Sequence, residues 1–348
     1  MKNIAALVIL WMVLLSCGSE QPKETKPKTV LKDYKKTAEV DLLTEAKRYF
    51  LPLPEEAVSE NNPLTKEKVD LGKKLFFDKR LSKDQNISCN SCHNLETYGV
   101  DNLPTSPGDE GKNGDRNSPT VLNAALHFSQ FWDGRAADVE EQAGGPILNP
   151  VEMNIPSKEF MVKRLEGVKE YVSMFNAAFP NEKISYENLQ LAIGAFERKL
   201  LTPSKFDQYL KGNENALNKK EKEGLKLFIN TGCITCHSGE AVGGNMFQKF
   251  GLHGDYWEKT KSDPVDDGRF KETQNEADRY VFKVPSLRNI EKTYPYFHDG
   301  SISDLKEAVI IMAQLQNNKT ITSEEAESIV TFLKTLTGEV PIVGKTPA

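Results

Sequence analysis

Cys89-Asn90-Ser91-Cys92-His93 and Cys233-Ile234-Thr235-Cys236-His237 repeat one pattern, two cysteines spaced by two residues with a histidine directly after the second. Each such pentapeptide can hold a haem covalently through two thioether bonds, with the histidine as an axial ligand of the iron. A lone Cys-x-x-Cys would also suit a redox dithiol or half of a zinc site. Two copies, each followed by His, point to two c-type haems, with His93 and His237 as the proximal ligands. The remaining cysteine agrees with this. Of 5 cysteines, four lie in the motifs and the fifth is Cys17, so no pair is left for a disulfide.

The N-terminus reads as a leader. Lys2 precedes an apolar run over residues 4–15, followed by Ser16-Cys17-Gly18. The run is too short to span a bilayer, which takes about 20 residues, and suits a signal-peptide core. Leu14-Leu15-Ser16-Cys17 resembles a bacterial lipobox. Residues 1–16 would then be a signal peptide, and Cys17 a lipidated anchor on the periplasmic side of a bacterial membrane. The alternative is an ordinary secreted protein cleaved nearby; both export the chain. An exported chain without a disulfide pair is unusual unless cofactors use its sulfurs. Residues 17–40 are rich in Lys, Glu, Pro and Thr and read as a flexible tether. A composition of 38% hydrophobic and 27% charged residues with net charge −5 is globular. It gives no basic surface for nucleic acid, and a mildly acidic surface could steer a basic protein partner.

The stretch before each motif is alike. Val69-Asp70-Leu71-Gly72-Lys73-Lys74-Leu75-Phe76 precedes the first, and Glu223-Gly224-Leu225-Lys226-Leu227-Phe228 the second. In both, a glycine stands four residues before a phenylalanine on an amphipathic helical pattern. Glycine there costs about 1 kcal/mol of helix propensity and lets another helix come close. The arrangement resembles the first helix of class I cytochromes c, which crosses the last helix at such a glycine. A last helix is legible: Thr322-Ser323-Glu324-Glu325 is a capping box, Ile329, Val330, Phe332, Leu333 and Leu336 recur at helical spacing, and Gly338 is a plausible stop. A Gly/Asn/Pro-rich loop is expected over 99–117, and strand signals are weak. The fold class is therefore mainly α: two cytochrome c-like haem domains packed around a domain interface. The N-terminal haem domain is expected over 41–203 and the C-terminal one over 204–348, the boundary following the helical stretch 186–200.

Sixth ligands are less constrained. After Cys236 only Met246 and Met312 are available. Met246 is too near the motif to cross to the other haem face, so Met312 is the candidate; a thioether there favours Fe(II) and raises the potential. On its own a Met on an amphipathic helix is more often core. The first haem has no evident Met. The segments after its motif are polar: Arg116-Asn117-Ser118-Pro119-Thr120, Gln130-Phe131-Trp132-Asp133-Gly134-Arg135, Glu141-Gln142 and Val151-Glu152-Met153.

These stretches, with Val281–Ile290 and Thr293-Tyr294-Pro295-Tyr296-Phe297-His298-Asp299-Gly300, resemble the bacterial di-haem cytochrome c peroxidases over nearly the whole mature chain. The resemblance implies a low-potential peroxidatic haem at His93 and a high-potential electron-entry haem at His237 with Met312. It puts Glu152 at the distal acid–base carboxylate, Gln142 at its hydrogen-bonding partner and Trp132 between the haems. It puts Asn117, Thr293 and Pro295 at a calcium site, the last two through backbone carbonyls, and oxygen-only ligation suits Ca²⁺. His298 falls near the electron-transfer haem. Physically, a distal carboxylate is what peroxide cleavage needs: it takes the proton from the oxygen nearest iron and returns it to the far oxygen. Burial would raise its pKa and ease that return.

One position departs from the family. Many members carry, in the loop after the first motif, a His that closes off the peroxidatic iron until the other haem is reduced. Here Asp109 stands at that place, within Pro107-Gly108-Asp109-Glu110-Gly111. Of the remaining histidines, His127 is expected in a helical run before Phe131 and His253 near the second motif; both read as structural, with His127 the conceivable substitute ligand. The expectation is a peroxidatic haem with no inhibitory sixth ligand.

The function expected is reduction of hydrogen peroxide to water, with a small cytochrome c or cupredoxin as electron donor; homodimers are common among such enzymes. Two other readings stand beside it. A di-haem oxidase that modifies a partner protein resembles a family with Tyr at the position of Met312. A pure electron-transfer cytochrome would have no use for Glu152 and Gln142.

Overall fold

The computed structural model describes residues 41–345, so the expected leader, Cys17 and the tether lie outside the described residues. The main helices are α1 (Lys66–Phe77), α2 (Val139–Leu148), α3 (Lys158–Glu166), α4 (Lys169–Ala178), α5 (Tyr186–Glu197), α6 (Lys205–Leu210), α7 (Lys219–Thr231), α8 (Leu305–Asn317) and α9 (Ser323–Leu333). The only sheet among the described residues is a two-stranded antiparallel ribbon, β1 (Phe247–Lys249) with β2 (Val281–Lys283), pairing Phe247 with Lys283.

Both halves are built on a glycine crossing. In the first, a Cβ on Gly72 of α1 would stand 1.8 Å from the Ala192 carbonyl oxygen of α5. In the second, a Cβ on Gly224 of α7 would stand 2.0 Å from the Ser328 carbonyl oxygen of α9. No other residue permits those backbones to approach so closely, which is why the helix-propensity cost is tolerated. The crossing positions Phe76 and Phe228: Phe76 lies 5.3 Å from Phe196 and Phe228 5.3 Å from Phe332, ring centre to ring centre. Each of these aromatics is fully buried, and burial of such a side chain contributes roughly 1.5–3 kcal/mol.

One core gathers Leu71, Leu75, Phe76, Leu189, Ile193 and Phe196. Another gathers Phe206, Leu225, Phe228, Ile329, Phe332 and Leu333. The chain crosses the expected boundary twice. Ala46 and Phe50, near the start, pack into the second core, and Val340 and Val343, near the end, pack against the first. At the boundary, Thr202 is fully buried and its hydroxyl accepts from Asn123 Nδ2 at 2.8 Å and from Asn289 Nδ2 at 2.9 Å. A second polar fastening joins the halves at Arg116, which donates to Asp133 and, at 2.6 Å, to Asp266.

The capping box is formed: Thr322 Oγ1 accepts from Glu325 N at 3.1 Å and Thr322 N donates to Glu325 Oε2 at 2.8 Å. Gly338 is not the stop of α9. The helix gives way at Leu333 to a 3₁₀ turn over Lys334–Leu336, and Gly338 instead packs against the boundary, where a Cβ would meet the Thr202 carbonyl at 2.2 Å. The run containing His127 is a single 3₁₀ turn, Ala124–Leu126, with His127 extended after it. Residues 99–117 form no helix or strand, as expected from their composition.

Candidate haem sites and the distal carboxylate

The two motifs sit on tight turns fed by the glycine-crossing helices. The first is a short helical turn, Cys89–Cys92, pinned by Ser88 N donating to Ser91 Oγ at 2.9 Å. The second is a 3₁₀ turn, Cys233–Thr235, entered through Gly232 at φ +93°, a left-handed conformation that ends α7 and swings the cysteines round. In both motifs the histidine N–H donates to the first cysteine's carbonyl at 2.9 Å, so thiols and imidazole turn together.

The chemistry of the donors fits c-type haem. All four motif cysteines are unpaired. Burial raises the Cys92 thiol to about 11 and the Cys233 thiol to about 12, and pushes Cys89 and Cys236 up as well. A redox dithiol needs the opposite, a stabilised thiolate. Among the described residues no group of three or more His, Cys, Asp or Glu is arranged to hold a metal ion. Burial keeps both motif histidines neutral, lowering His93 and bringing His237 to about 4. Their Nδ1 atoms are buried with no hydrogen-bond partner among the described residues, and the nearby Pro119 and Gly99 backbone at His93 and Val242 and Pro285 backbone at His237 only oppose the lowering.

The second site is a long cavity. Cys233, Cys236 and His237 line it, and so does Met312 from α8; Met246 does not. Asn117, Trp132, Thr293, Pro295 and His298 line the same cavity, so the fold brings these predicted residues together. Trp132 Nε1 donates to the Asn117 carbonyl at 2.9 Å, and Asn117 N donates to the His298 carbonyl at 2.7 Å. The His298 ring stacks on Phe282 at 4.3 Å and is almost wholly buried. His253 is exposed and its N–H donates to the Leu315 carbonyl at 2.9 Å.

Glu152 is placed by the end of α2. Pro146 cannot donate within the helix, and the chain folds back so that Met153 N and Ile155 N donate to the Pro146 and Ile147 carbonyls at 3.1 and 2.9 Å. That return holds Glu152 in a turn on Asn149, whose carbonyl accepts from Glu152 N at 3.0 Å. Asn149 Nδ2 then donates to Glu152 Oε1 at 2.7 Å. Burial raises the Glu152 pKa, and Asn149 and Arg135 oppose the rise. The Glu152 charge, after burial and Asp101, also raises the Cys92 thiol, so the carboxylate lies in the neighbourhood of the first motif.

Gln142, three residues before Gly145 and seven before Asn149, shares their face of α2. Phe131 meets that face, its ring edge 3.3 Å from where a Gly145 Cβ would stand. Arg135 lies over the Phe131 ring at 3.5 Å. Phe131, Arg135 and Asn149 are the site residues that sequence reasoning passed over. Phe131 has φ +65°, rare outside glycine, and Gly134 sits at φ +70° with room for no Cβ against Phe247. The Phe131-Trp132-Asp133-Gly134-Arg135 turn brings Phe131 and Trp132 to the second cavity, sets Phe131 against Gly145 of α2, and leaves Arg135 close enough for its charge to act on Glu152.

Asp109 is tied down beside this turn. Its carboxylate accepts from Asp84 N at 3.1 Å, its carbonyl from Asn86 Nδ2 at 2.7 Å, and its own N–H donates to the Glu152 carbonyl at 2.7 Å. Glu110 adds contacts to Lys83 and Asn154 at 3.1 and 2.9 Å.

Comparison with known proteins agrees with this construction. The family model for di-haem cytochrome c peroxidase matches residues 66–215, and that for cytochrome c matches 221–337. The chain is 48% identical to a cytochrome c551 peroxidase of Nitrosomonas europaea, covering 83% of this chain and 85% of that one. The chain belongs to the di-haem cytochrome c peroxidase family. It is 44% identical to a cytochrome c551 peroxidase of Pseudomonas aeruginosa, over 88% of this chain and 89% of that one. A solved MauG-like protein associated with microbial copper homeostasis superposes with TM-score 0.73 at 30% identity, covering 85% and 95% of the two chains. This di-haem peroxidase therefore carries two c-type haems, reduces hydrogen peroxide and takes its electrons from a redox protein. When bound, the haem irons supply the electron storage and the Lewis acidity that O–O cleavage requires.

Proposed function

We propose that peroxide is reduced at the haem attached to Cys89 and Cys92, with Glu152 as the proton-transferring group and electrons entering at the haem attached to Cys233 and Cys236. The observation that carries this is the partly buried Glu152 carboxyl in the neighbourhood of the Cys92 motif, held by Asn149 Nδ2 at 2.7 Å, with burial raising its pKa and Asn149 and Arg135 opposing the rise. Ionised, Glu152 accepts a proton from the peroxide oxygen nearest the iron. Protonated, it returns that proton to the far oxygen, which leaves as water. Gln142 does not titrate and holds the far oxygen by hydrogen bonding. Phe131 with Arg135 over it keeps bulk water from the pocket.

On this reading His93 and His237 are the proximal ligands, Met312 completes the second haem, and Trp132 carries electrons between the two. Support comes from the shared cavity, which joins Met312, His237 and Trp132. Asn117, Thr293 and Pro295 line the same space and would hold Ca²⁺, with Asn117 also fixing Trp132 and His298. With Asp109, anchored to Asp84 and Asn86, in place of the family's loop His, this loop would offer the first haem no inhibitory His, so reductive activation would be weak or unnecessary. The donor is a small cytochrome c or cupredoxin, met on the periplasmic side, where Cys17 would anchor the chain.

The test is Glu152→Gln in the holoenzyme. Peroxide turnover should fall by about two to four orders of magnitude, the range of general acid–base catalysis, with both haem spectra retained. Unchanged turnover would sink the assignment. The oxidised spectrum tests the Asp109 reading: two low-spin six-coordinate haems, inactive until reduced, would contradict it.

A further inference from the structure

Lys283, at the end of β2, lines the cavity of the second haem motif and is only 6% exposed. Its Nζ lies 3.1 Å from His127 Nδ1. His127 comes from the other half of the molecule and lies against the loop after the second motif. Phe128 N donates to the Gly244 carbonyl at 2.9 Å, and a Cβ on Gly244 would stand 2.4 Å from the His127 ring. His127 Nε2 is buried with no partner. Lys283 N donates to the Trp132 carbonyl at 2.7 Å, so the pair stands where both halves meet the cavity.

An ammonium buried beside nothing but an imidazole is an incomplete arrangement. Taking a charge out of water costs several kcal/mol unless an opposite charge meets it. Among the described residues no such charge meets it. Burial alone acts on Lys283, bringing it down to about 8, and burial with the Lys283 charge depresses His127. The charged groups on the surrounding elements are engaged elsewhere. Asp133 is held by Arg116 and Arg135, and Arg269 by the Asp133 carbonyl and the Phe247 ring. Arg288 is held by Asp207, Lys249 lies over Tyr280, and His237 and His298 are buried and lowered in pKa. What the cavity is built to receive, a c-type haem, brings two carboxylates as its propionates.

We propose that Lys283 and His127 together receive a propionate carboxylate of the haem attached at Cys233 and Cys236, and that this pair takes up a proton when that haem takes up an electron. The inference rests on assigning that haem to Cys233 and Cys236. The step balances simply: one electron from the donor protein reaches the haem, one proton from solvent reaches the Lys283–His127 pair, and no other bond changes. The added electron makes the haem less positive, which favours the protonated pair. The proton in turn stabilises the reduced haem.

The experiment is a redox titration of the second haem in holoenzyme from about pH 6 to about pH 9, a range that brackets the depressed Lys283 at about 8. It is done for wild type, Lys283→Met, Lys283→Arg and His127→Asn. Pyridine haemochrome first counts haems per chain, so a wrong haem assignment registers there, as a loaded count that does not fall when Cys233 and Cys236 are replaced. In wild type the reduction constant should fall by up to tenfold per pH unit between the pair's pKa in the oxidised enzyme and its pKa in the reduced enzyme, which is 59 mV for one electron, and level off on either side. Lys283→Met should lower the constant about tenfold at neutral pH, about 59 mV, and flatten the pH dependence. Lys283→Arg should keep the potential and flatten the dependence near pH 8, because arginine does not titrate there. The propionate bending band in the resonance Raman spectrum should move in Lys283→Met and in His127→Asn. A wild-type potential independent of pH, or a Lys283→Met enzyme with unchanged potential and unchanged propionate band, overturns the proposal. Should Lys283→Met fail to load both haems, Lys283→Arg and His127→Asn carry the same readings: an unflattened pH dependence in the first and an unmoved band in the second would overturn it.

Discussion

Burial raises the Glu152 pKa, and Asn149 is the side chain that most restrains the rise. Its side-chain amide donates to Glu152 Oε1 at 2.7 Å, a short bond to a partly buried carboxylate, and it opposes the rise in pKa that burial imposes. A hydrogen bond to a charged group contributes about 1.5–3 kcal/mol. At 1.36 kcal/mol per pKa unit, losing it in Asn149→Ala should raise the Glu152 pKa by about one to two units. Glu152 must be ionised to accept the peroxide proton, so kcat/KM declines as pH falls through that pKa. The acidic limb should therefore move to higher pH by the same one to two units, with activity well above the limb nearly preserved. The assay is the initial rate of peroxide-dependent oxidation of a reduced small cytochrome c at limiting peroxide, over a pH series. Asn149 Oδ1 also accepts from Val151 N at 3.2 Å, so Ala could disturb the turn. Asn149→Asp keeps an oxygen acceptor there and puts a negative charge beside Glu152, which should move the limb in the same direction. An acidic limb that stays in place in both variants, with haem content intact, would refute the view that Glu152 is the titrating base.

Four further outcomes are expected from other parts of the fold. Glu197 is fully buried, and burial with the nearby Glu140 charge raises its pKa from 4.5 to about 8, so the folded state binds this proton more tightly than the unfolded chain. The stability it contributes is complete below pH 4.5 and is lost as pH rises toward about 8; Glu197→Gln should flatten that slope in denaturant midpoints of the holoprotein. Gly224→Val should destabilise by about 1–3 kcal/mol or more, read by thermal unfolding, since even a Cβ would stand 2.0 Å from the Ser328 carbonyl. Arg288→Met should cost about 3–5 kcal/mol by the same measurement, because Arg288 donates to Asp207 at 2.8 and 2.9 Å and its loss strands a buried carboxylate. On the proposed assignment of Asn117, Thr293 and Pro295 to Ca²⁺, a chelator should slow turnover and perturb Trp132 fluorescence, with both recovered on adding Ca²⁺ back, since the Asn117 carbonyl accepts from Trp132 Nε1; turnover and fluorescence unmoved by the chelator would refute that assignment.

Local patterns were readable where the physics is local. The haem attachments follow from covalent geometry within five residues, and the neutral, buried state of His93 and His237 completes what the motifs implied. Gly72 and Gly224 announced close helix crossings because nothing else explains a glycine on an apolar face. The capping box at Thr322 and Glu325 needed only three residues' spacing. Gly338 misled because its partner is Thr202, far away in sequence, rather than the end of its own helix. His127 lay in what read as a helical run, yet the backbone there makes one 3₁₀ turn and extends, since the segment is held by Gly244 across the cavity.

The amino-acid sequence by itself determined which atoms can bond to haem and which helices must cross closely, because bond formation and helical spacing act over a few residues; that Glu152 and Gln142 belong near the first motif came only from the resemblance to the family. Tertiary structure alone decided what Glu152 feels: Asn149 on one side, Arg135 over Phe131 on the other, and a buried setting that shifts its proton. It also decided that Met312 rather than Met246 lines the cavity of His237, and that Lys283 meets His127 there. Those outcomes depend on desolvation and on contacts between segments distant in the chain, and neither is expressed until the helices have packed.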